Sequence, residues 1–238
     1  FKEGAGLTGH DFGNLMLTAL ERITGSFGDA VKEAEKILGV KGRVMPSTLN
    51  KSRLFAELEN GRVLEGEGNI DIRSRDVRLK IEKVWLKPKA VLNPEAKNAI
   101  LKADGIVIGP GDLYTSLIPN LLVSGMPEAI KASNARKIYI VNSMTKFGET
   151  TGFLAKDFLD AIEKYLGKNS IDYILVNKTK PSKERVKQYE KEKAEFVTGS
   201  PKAFAGRKVK VIRGDFLLKK GFIRHDSDTL AKALLSLL

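Results

Sequence analysis

Hydrophobic positions recur every three to four residues at Leu15, Ala19, Leu20 and Ile23, and again at Ala30, Val31, Ala34, Ile37 and Leu38. That spacing predicts two amphipathic helices, the second opened by Ser26 as N-cap and stopped by Gly39. From Val40 to Pro88 the period shortens to two. Val44-Met45, Leu54 to Leu58, Val63-Leu64, Ile70-Asp71-Ile72 and Ile81 to Leu86 read as short strands, and Asn60-Gly61 predicts a type I′ hairpin turn. From Asn93 onward strands and helices alternate. Asn93-Pro94 opens a helix that runs to Ala103. Ile106 to Ile108, Lys137 to Val141, Ile171 to Val176 and Val209 to Arg213 read as strands. Helices are predicted near Leu113 to Val123 and over Glu128 to Ala132, Phe153 to Leu166, Ser182 to Phe196 and Ser227 to Leu238.

The strands after Asn93 are nearly all apolar, as in a parallel sheet buried on both faces. Strands alternating with helices imply βαβ units. The expectation is one α/β domain over residues 1–238, Rossmann-like, with three αβα layers and a mainly parallel sheet. Residues 40–88 would form a β-rich insertion or subdomain.

Composition then removes whole classes of chemistry. The 238 residues are 42% hydrophobic and 29% charged, inside the globular range. With no cysteine there is no disulfide scaffold, thiolate nucleophile or cysteine-bound zinc. Two histidines, His10 and His225, are too few for a histidine-rich metal site, and no metal ligand set is expected. No stretch reaches the roughly 18 apolar residues of a membrane span, and Phe1-Lys2-Glu3-Gly4 has no signal-peptide profile. The expected compartment is the cytoplasm. The net charge of +12 is concentrated: residues 178–224 hold fifteen Lys and Arg against five Asp and Glu. That segment could steer an anion. It lacks the aromatic platform and reading motifs of a nucleic-acid binder. A phosphorylated small molecule is thus the favoured partner over nucleic acid or a membrane, and a homo-oligomer is left open.

Ligands of open parallel sheets sit at the carboxyl ends of the strands. After Ile106 to Ile108 comes Gly109-Pro110-Gly111-Asp112-Leu113-Tyr114-Thr115-Ser116. Its glycines allow close backbone approach and its hydroxyls suit an anion, so phosphate is expected there; the competing reading is a stiff strand-to-helix turn. Asn142 and Asn177 stand at the ends of the next two strands, where an amide can read a sugar or base edge. Gly4-Ala5-Gly6-Leu7-Thr8-Gly9 matches a dinucleotide fingerprint by letters but follows no strand. It could still present Gly9, His10 and Asn14 to a ligand. In Arg224-His225-Asp226, His225 is a candidate general acid or base; the alternative is an Arg224–Asp226 ion pair with a histidine that helps cap the last helix.

GLTGHDFGNLMLTAL, GRVMPST, GPGDLYTSLIPNLLVSGMPEAI, YIVNSMTKFGETTGF, DYILVN and RHDSDTLAKALL occur in this order. Together they resemble the bacterial gluconeogenesis factors, the YvcK-type branch of the CofD-like family. The resemblance covers nearly the whole chain but lacks the family's opening strand, GGGTG-type loop and Asp-Asp-Gly-Gly segment. It implies a cytoplasmic regulatory protein that binds a UDP-sugar such as UDP-N-acetylglucosamine or UDP-glucose, requires no cofactor, and supports growth on gluconeogenic carbon sources and cell shape. By the same resemblance Gly109, Gly111, Thr115 and Ser116 would hold the diphosphate, Asn142 and Thr145 would contact the nucleoside, and Tyr189 and Arg224 would approach from the other side. Asp112 stands where the family pattern has serine, a like charge beside a phosphate unless it turns away or meets a cation. The alternative is the sister branch, a Mg-dependent transferase that passes a 2-phospholactyl group to a deazaflavin precursor and releases GMP.

Overall fold

The computed structural model describes residues 11–73 and 77–238. Helices α1 (Phe12–Thr24) and α2 (Phe27–Leu38) pack as a hairpin. Ser26 Oγ accepts from the Asp29 N–H at 3.1 Å, and Gly39 ends α2 with a φ of 61°. Ala30, Val31 and Ala34 are buried, but α1 buries nothing and Ile23 is 79% exposed. The period marked the helix there without marking a covered face.

Strands β1 (Arg53–Leu58), β2 (Val63–Glu65) and β3 (Ile81–Lys87) form a separate antiparallel sheet in the order β2-β1-β3. Helix α3 (Glu67–Asp71) lies between β2 and β3. Next come α4 (Pro94–Lys102) and β4 (Gly105–Ile108), then a π-turn over Leu113–Leu117 that runs into α5 (Ile118–Leu121) and α6 (Met126–Ala132). They are followed by β5 (Arg136–Ile140), α7 (Ala155–Leu166), β6 (Tyr173–Asn177), α8 (Lys183–Lys187), β7 (Lys210–Gly214) and α9 (Ser227–Leu235).

Strands β4 to β7 pair in sequential order, all parallel. Alternation along these strands makes two cores. Tyr139, Val141, Ile174 and Val176 belong to the larger core, with Phe158, Leu159 and Ile162 of α7. The intervening Ile138, Ile140 and Leu175 pack with Phe216 and with Leu230 of α9. Connections of one hand between sequentially ordered strands lie on one face, and α9 covers the other through Leu230, Ala233 and Leu234. Leu54, Ala56, Leu58, Ile70 and Val84 of the antiparallel segment share the larger core. The Val84 N–H also donates to the Tyr165 hydroxyl of α7 at 3.0 Å.

Several local expectations are corrected. Ile70-Asp71-Ile72 is not a strand, because Gly66 (φ 86°) turns the chain and α3 follows at once. Val44-Met45 is not a strand either: the Val44 N–H goes to the Glu35 carboxylate, and Pro46 ends the run. At Asn60-Gly61 only the glycine has positive φ, 81°, and the Gly61 N–H donates to the Leu58 carbonyl. This is a three-residue loop and not type I′, which needs positive φ at both central residues. The helix expected over Ser182 to Phe196 is α8 alone, followed by turns to Lys193, whose φ is 51°. Its charges leave no continuous apolar face, and a short helix without packing does not persist.

Candidate functional site

The loops after β5, β6 and β7 surround a cleft of about 640 Å³ at the carboxyl end of the parallel sheet. Asn142, Ser143, Tyr189, Phe222, Arg224 and His225 contribute to its wall, and Pro110 brings the loop after β4 to its rim. Four of the sequence candidates, Asn142, Tyr189, Arg224 and His225, therefore meet although up to 82 residues separate them.

Each wall residue is held in a definite way. Asn142 Nδ2 donates to the Gly111 carbonyl at 2.8 Å, which fixes the amide's orientation. Its Oδ1 is buried and has no partner among the described residues, which costs free energy in the unliganded fold. The Tyr189 hydroxyl accepts from the Ile223 N–H at 2.8 Å, so this ring is a wall and its oxygen a loop anchor. His225 Nε2 lies 3.3 Å from Ser143 Oγ, and burial pushes the imidazole below its ordinary pKa, favouring the neutral form that can take a proton. Asp226 caps α9 through the Thr229 N–H at 2.8 Å, while the exposed Arg224 guanidinium lies 5.5 Å from the Phe222 ring centre. The carboxylate thus serves the helix, and Arg224 faces the cleft.

The Gly109–Ser116 loop is built differently from its sequence reading. Gly109 has a φ of 78°, and a Cβ on it would lie 3.1 Å from the Ile140 carbonyl oxygen. Glycine is required there by close strand-to-loop packing. Where the π-turn begins, the protein supplies its own anion. The Glu149 side chain is 1% exposed; it accepts from the Tyr114 N–H at 3.3 Å and the Thr115 hydroxyl at 3.5 Å. Lys146 Nζ lies 3.2 Å from Glu149 and 2.7 Å from Asp112, and also pairs with Asp71 of α3. Asp112 does meet a cation. Burial raises the pKa of both Asp112 and Glu149, helped for Asp112 by the charge of Glu67. Asp71, Asp112 and Glu149 have carboxylate oxygens within 4.8 Å of one another, a set that could hold a divalent ion, but Lys146 already places an ammonium among them.

Other candidates are committed elsewhere. Thr145 is buried, and its backbone N–H and its hydroxyl both bond the backbone of Glu195. Ser116 and Asn14 are exposed and do not line the cleft. Gly9, His10 and the glycine motif at residues 4–9 lie outside the described residues. Asn177 donates to the Thr179 carbonyl at 2.6 Å and accepts from the Phe216 N–H at 2.8 Å, tying the end of β6 to the loop after β7. Asn177→Ala would leave a buried Phe216 N–H unpaired and is expected to cost about 1–3 kcal/mol. Urea denaturation checks this; a midpoint like that of the wild type would refute the structural role.

Sequence reading missed Lys146, Glu149, Asp71, Ser143 and Phe222. Lys146 and Glu149, spaced i,i+3 in the loop that begins at Asn142, were the available signal. Asp71 was hidden by the strand reading of its segment.

The family described as 2-phospho-L-lactate transferase CofD matches residues 1–217. Gluconeogenesis factors from Halalkalibacterium halodurans and Bacillus subtilis are 43% and 40% identical, covering 99% and 100% of this chain and 72% and 74% of theirs. A relative from Nostoc sp. is 43% identical, and the chain spans 52% of its length. The crystal structure of a UPF0052-family protein from Bacillus halodurans superposes with a TM-score of 0.91 at 42% identity, covering 99% of this chain and 74% of that one. By family match and by these relatives, the chain belongs to the CofD family, alongside its gluconeogenesis factors.

Proposed function

We propose that the cleft binds a nucleotide sugar of the UDP-N-acetylglucosamine or UDP-glucose type, and that the chain acts as a cytoplasmic regulatory protein without a required cofactor. The observation that carries this reading is the convergence of an exposed guanidinium, Arg224, with the amide-bearing Asn142 in the wall of one cleft. Arginine forks onto phosphate, and an amide side chain can exchange hydrogen bonds with a sugar or base edge. The Gly109–Ser116 loop would contribute from the rim at Pro110, since Glu149 occupies the start of the π-turn. The relatives named as gluconeogenesis factors support a role in growth on gluconeogenic carbon, and control of cell shape follows from the same resemblance.

Arg224→Ala is expected to weaken UDP-sugar binding by about 1.5–3 kcal/mol, the range for a hydrogen bond to a charged group. Neutralising exposed Lys187 or Lys191 should cost only a few tenths of a kcal/mol, less at high salt. Calorimetry at two ionic strengths checks both. Unchanged affinity in Arg224→Ala would sink the assignment, and a wild-type chain that binds no nucleotide sugar would sink the whole reading.

The family description and the Ser143–His225 pair favour a second reading, a 2-phospholactate transferase that uses Mg. His225, neutral and hydrogen-bonded, is the group placed to move a proton in such a reaction. Release of GMP from a donor in which 2-phospholactate is joined to GMP through a phosphoanhydride, given a deazaflavin precursor and Mg, would select this reading over the first.

A further inference from the structure

Phe222 is 62% exposed and stands in the wall of the cleft. An aromatic ring left open to water forgoes the burial that stabilises such side chains. The main chain beneath it is pinned from several directions. Arg185 donates from Nε to the Gly221 carbonyl at 2.9 Å and from Nη2 to the Phe222 carbonyl at 2.8 Å. The Ile223 N–H is held by Tyr189, and the Leu218 N–H donates to the Arg224 carbonyl at 2.9 Å. Short α8 and the turns after it thus spend Arg185 and Tyr189 on this loop. The Arg224 guanidinium sits over one face of the ring, 5.5 Å from its centre. An open aromatic face on a fixed root orders little on binding, so stacking there loses little conformational entropy.

A planar, polarisable group is what such a face accepts, and a sugar hydroxyl or a phosphate gains nothing from it. In a nucleotide sugar the only aromatic group is the base. Asn142 gives one Nδ2 hydrogen to Gly111 and keeps a second, and a uracil imide edge, with an N–H between two carbonyl oxygens, suits such an amide. We propose that Phe222 is the stacking platform for the base of the bound nucleotide, an inference that rests on the nucleotide-sugar reading. Phe222 therefore sets affinity for the nucleoside half of the ligand, while Arg224 answers to its phosphates.

The test titrates UDP-N-acetylglucosamine into the wild-type chain, Phe222→Ala and Phe222→Trp. Because the ring is exposed, both variants should unfold thermally as the wild type does. Phe222→Ala should bind roughly 5- to 150-fold more weakly, the span of base–aromatic stacking. Phe222→Trp should restore affinity, and its indole emission should be quenched by ligand beyond any change seen at Trp85 in the wild type. Wild-type affinity in Phe222→Ala overturns the platform while leaving the nucleotide-sugar reading intact. Weak binding without rescue or quenching in Phe222→Trp also overturns it, since the ring would then act by packing. A wild-type chain that binds no UDP-sugar removes both proposals, and that outcome is recognised before any variant is made.

Discussion

Phe158→Ala is expected to destabilise the protein by about 3–5 kcal/mol, the usual cost of emptying a core phenylalanine site. Phe158 is fully buried on α7 and meets Phe153 edge to face, with ring centres 5.5 Å apart and planes at 83°. It lies in the core that also contains β1, β3 and α3, so the antiparallel segment has no apolar interior of its own to fall back on. Unfolding in urea should therefore remain a single transition at a lower midpoint, with the signal of Trp85 on β3 lost together with helical circular dichroism. A loss below about 1 kcal/mol would mean that the site collapses around the cavity more fully than cores usually do. Two separated transitions would mean that the β-rich segment holds together alone, contrary to the shared core.

The second large effect is expected at Glu149. Glu149→Ala removes a carboxylate whose side chain is 1% exposed and strands the Tyr114 N–H and Thr115 hydroxyl that it receives. About 2–3 kcal/mol should be lost, mostly as unpaired buried donors. The ion pair adds less than a buried pair ordinarily would, because Lys146 is one-third exposed and keeps Asp71 and Asp112. Glu149→Gln preserves the shape and one acceptor and should cost far less. The two variants also separate in pH dependence. Burial raises the Glu149 pKa in the folded protein above its ordinary 4.5, so the folded state holds this proton more tightly than the unfolded one. That contribution to stability is complete below the ordinary value and is lost as pH climbs through the raised one. Glutamine stays neutral throughout, so Glu149→Gln should gain on the wild type as pH rises across that window. Denaturation at a series of pH values decides it, and a gap that widens against the variant would show that the ionised pair with Lys146 outweighs the burial of the charge.

Periodicity was decisive wherever one face of an element is buried along its whole length. The apolar runs of β5 and β6 and the stripe on α7 were legible because burial selects the pattern directly, and the start of α4 because a cap followed by proline is a local signal. The same logic failed where burial is partial. On α1 the stripe is present and uncovered, and around Ile70 three residues suited a strand but Gly66 committed the chain to a turn. The charged stretch after Ser182 looked helical by composition. Its structure is decided by Arg185 and Tyr189, whose partners lie more than 30 residues away.

The candidate site divides along the same line. The chain determined by itself that polar groups follow each parallel strand, and that arginine and histidine precede the last helix, because strand ends and helix caps are local features. Which of those groups face one cleft was decided only by tertiary structure. Asn142, Tyr189, Arg224 and His225 share a wall, while Thr145 and Asn177 of the same chemical type are consumed in joining loops. Nor could spacing show that Glu149 fills the start of the π-turn, or that Lys146 answers Asp112, since Asp71, Asp112 and Lys146 come from three separate segments. A side chain's donors and acceptors are fixed by its type, but whether they are spent on the fold or left for a ligand depends on what folding places beside them.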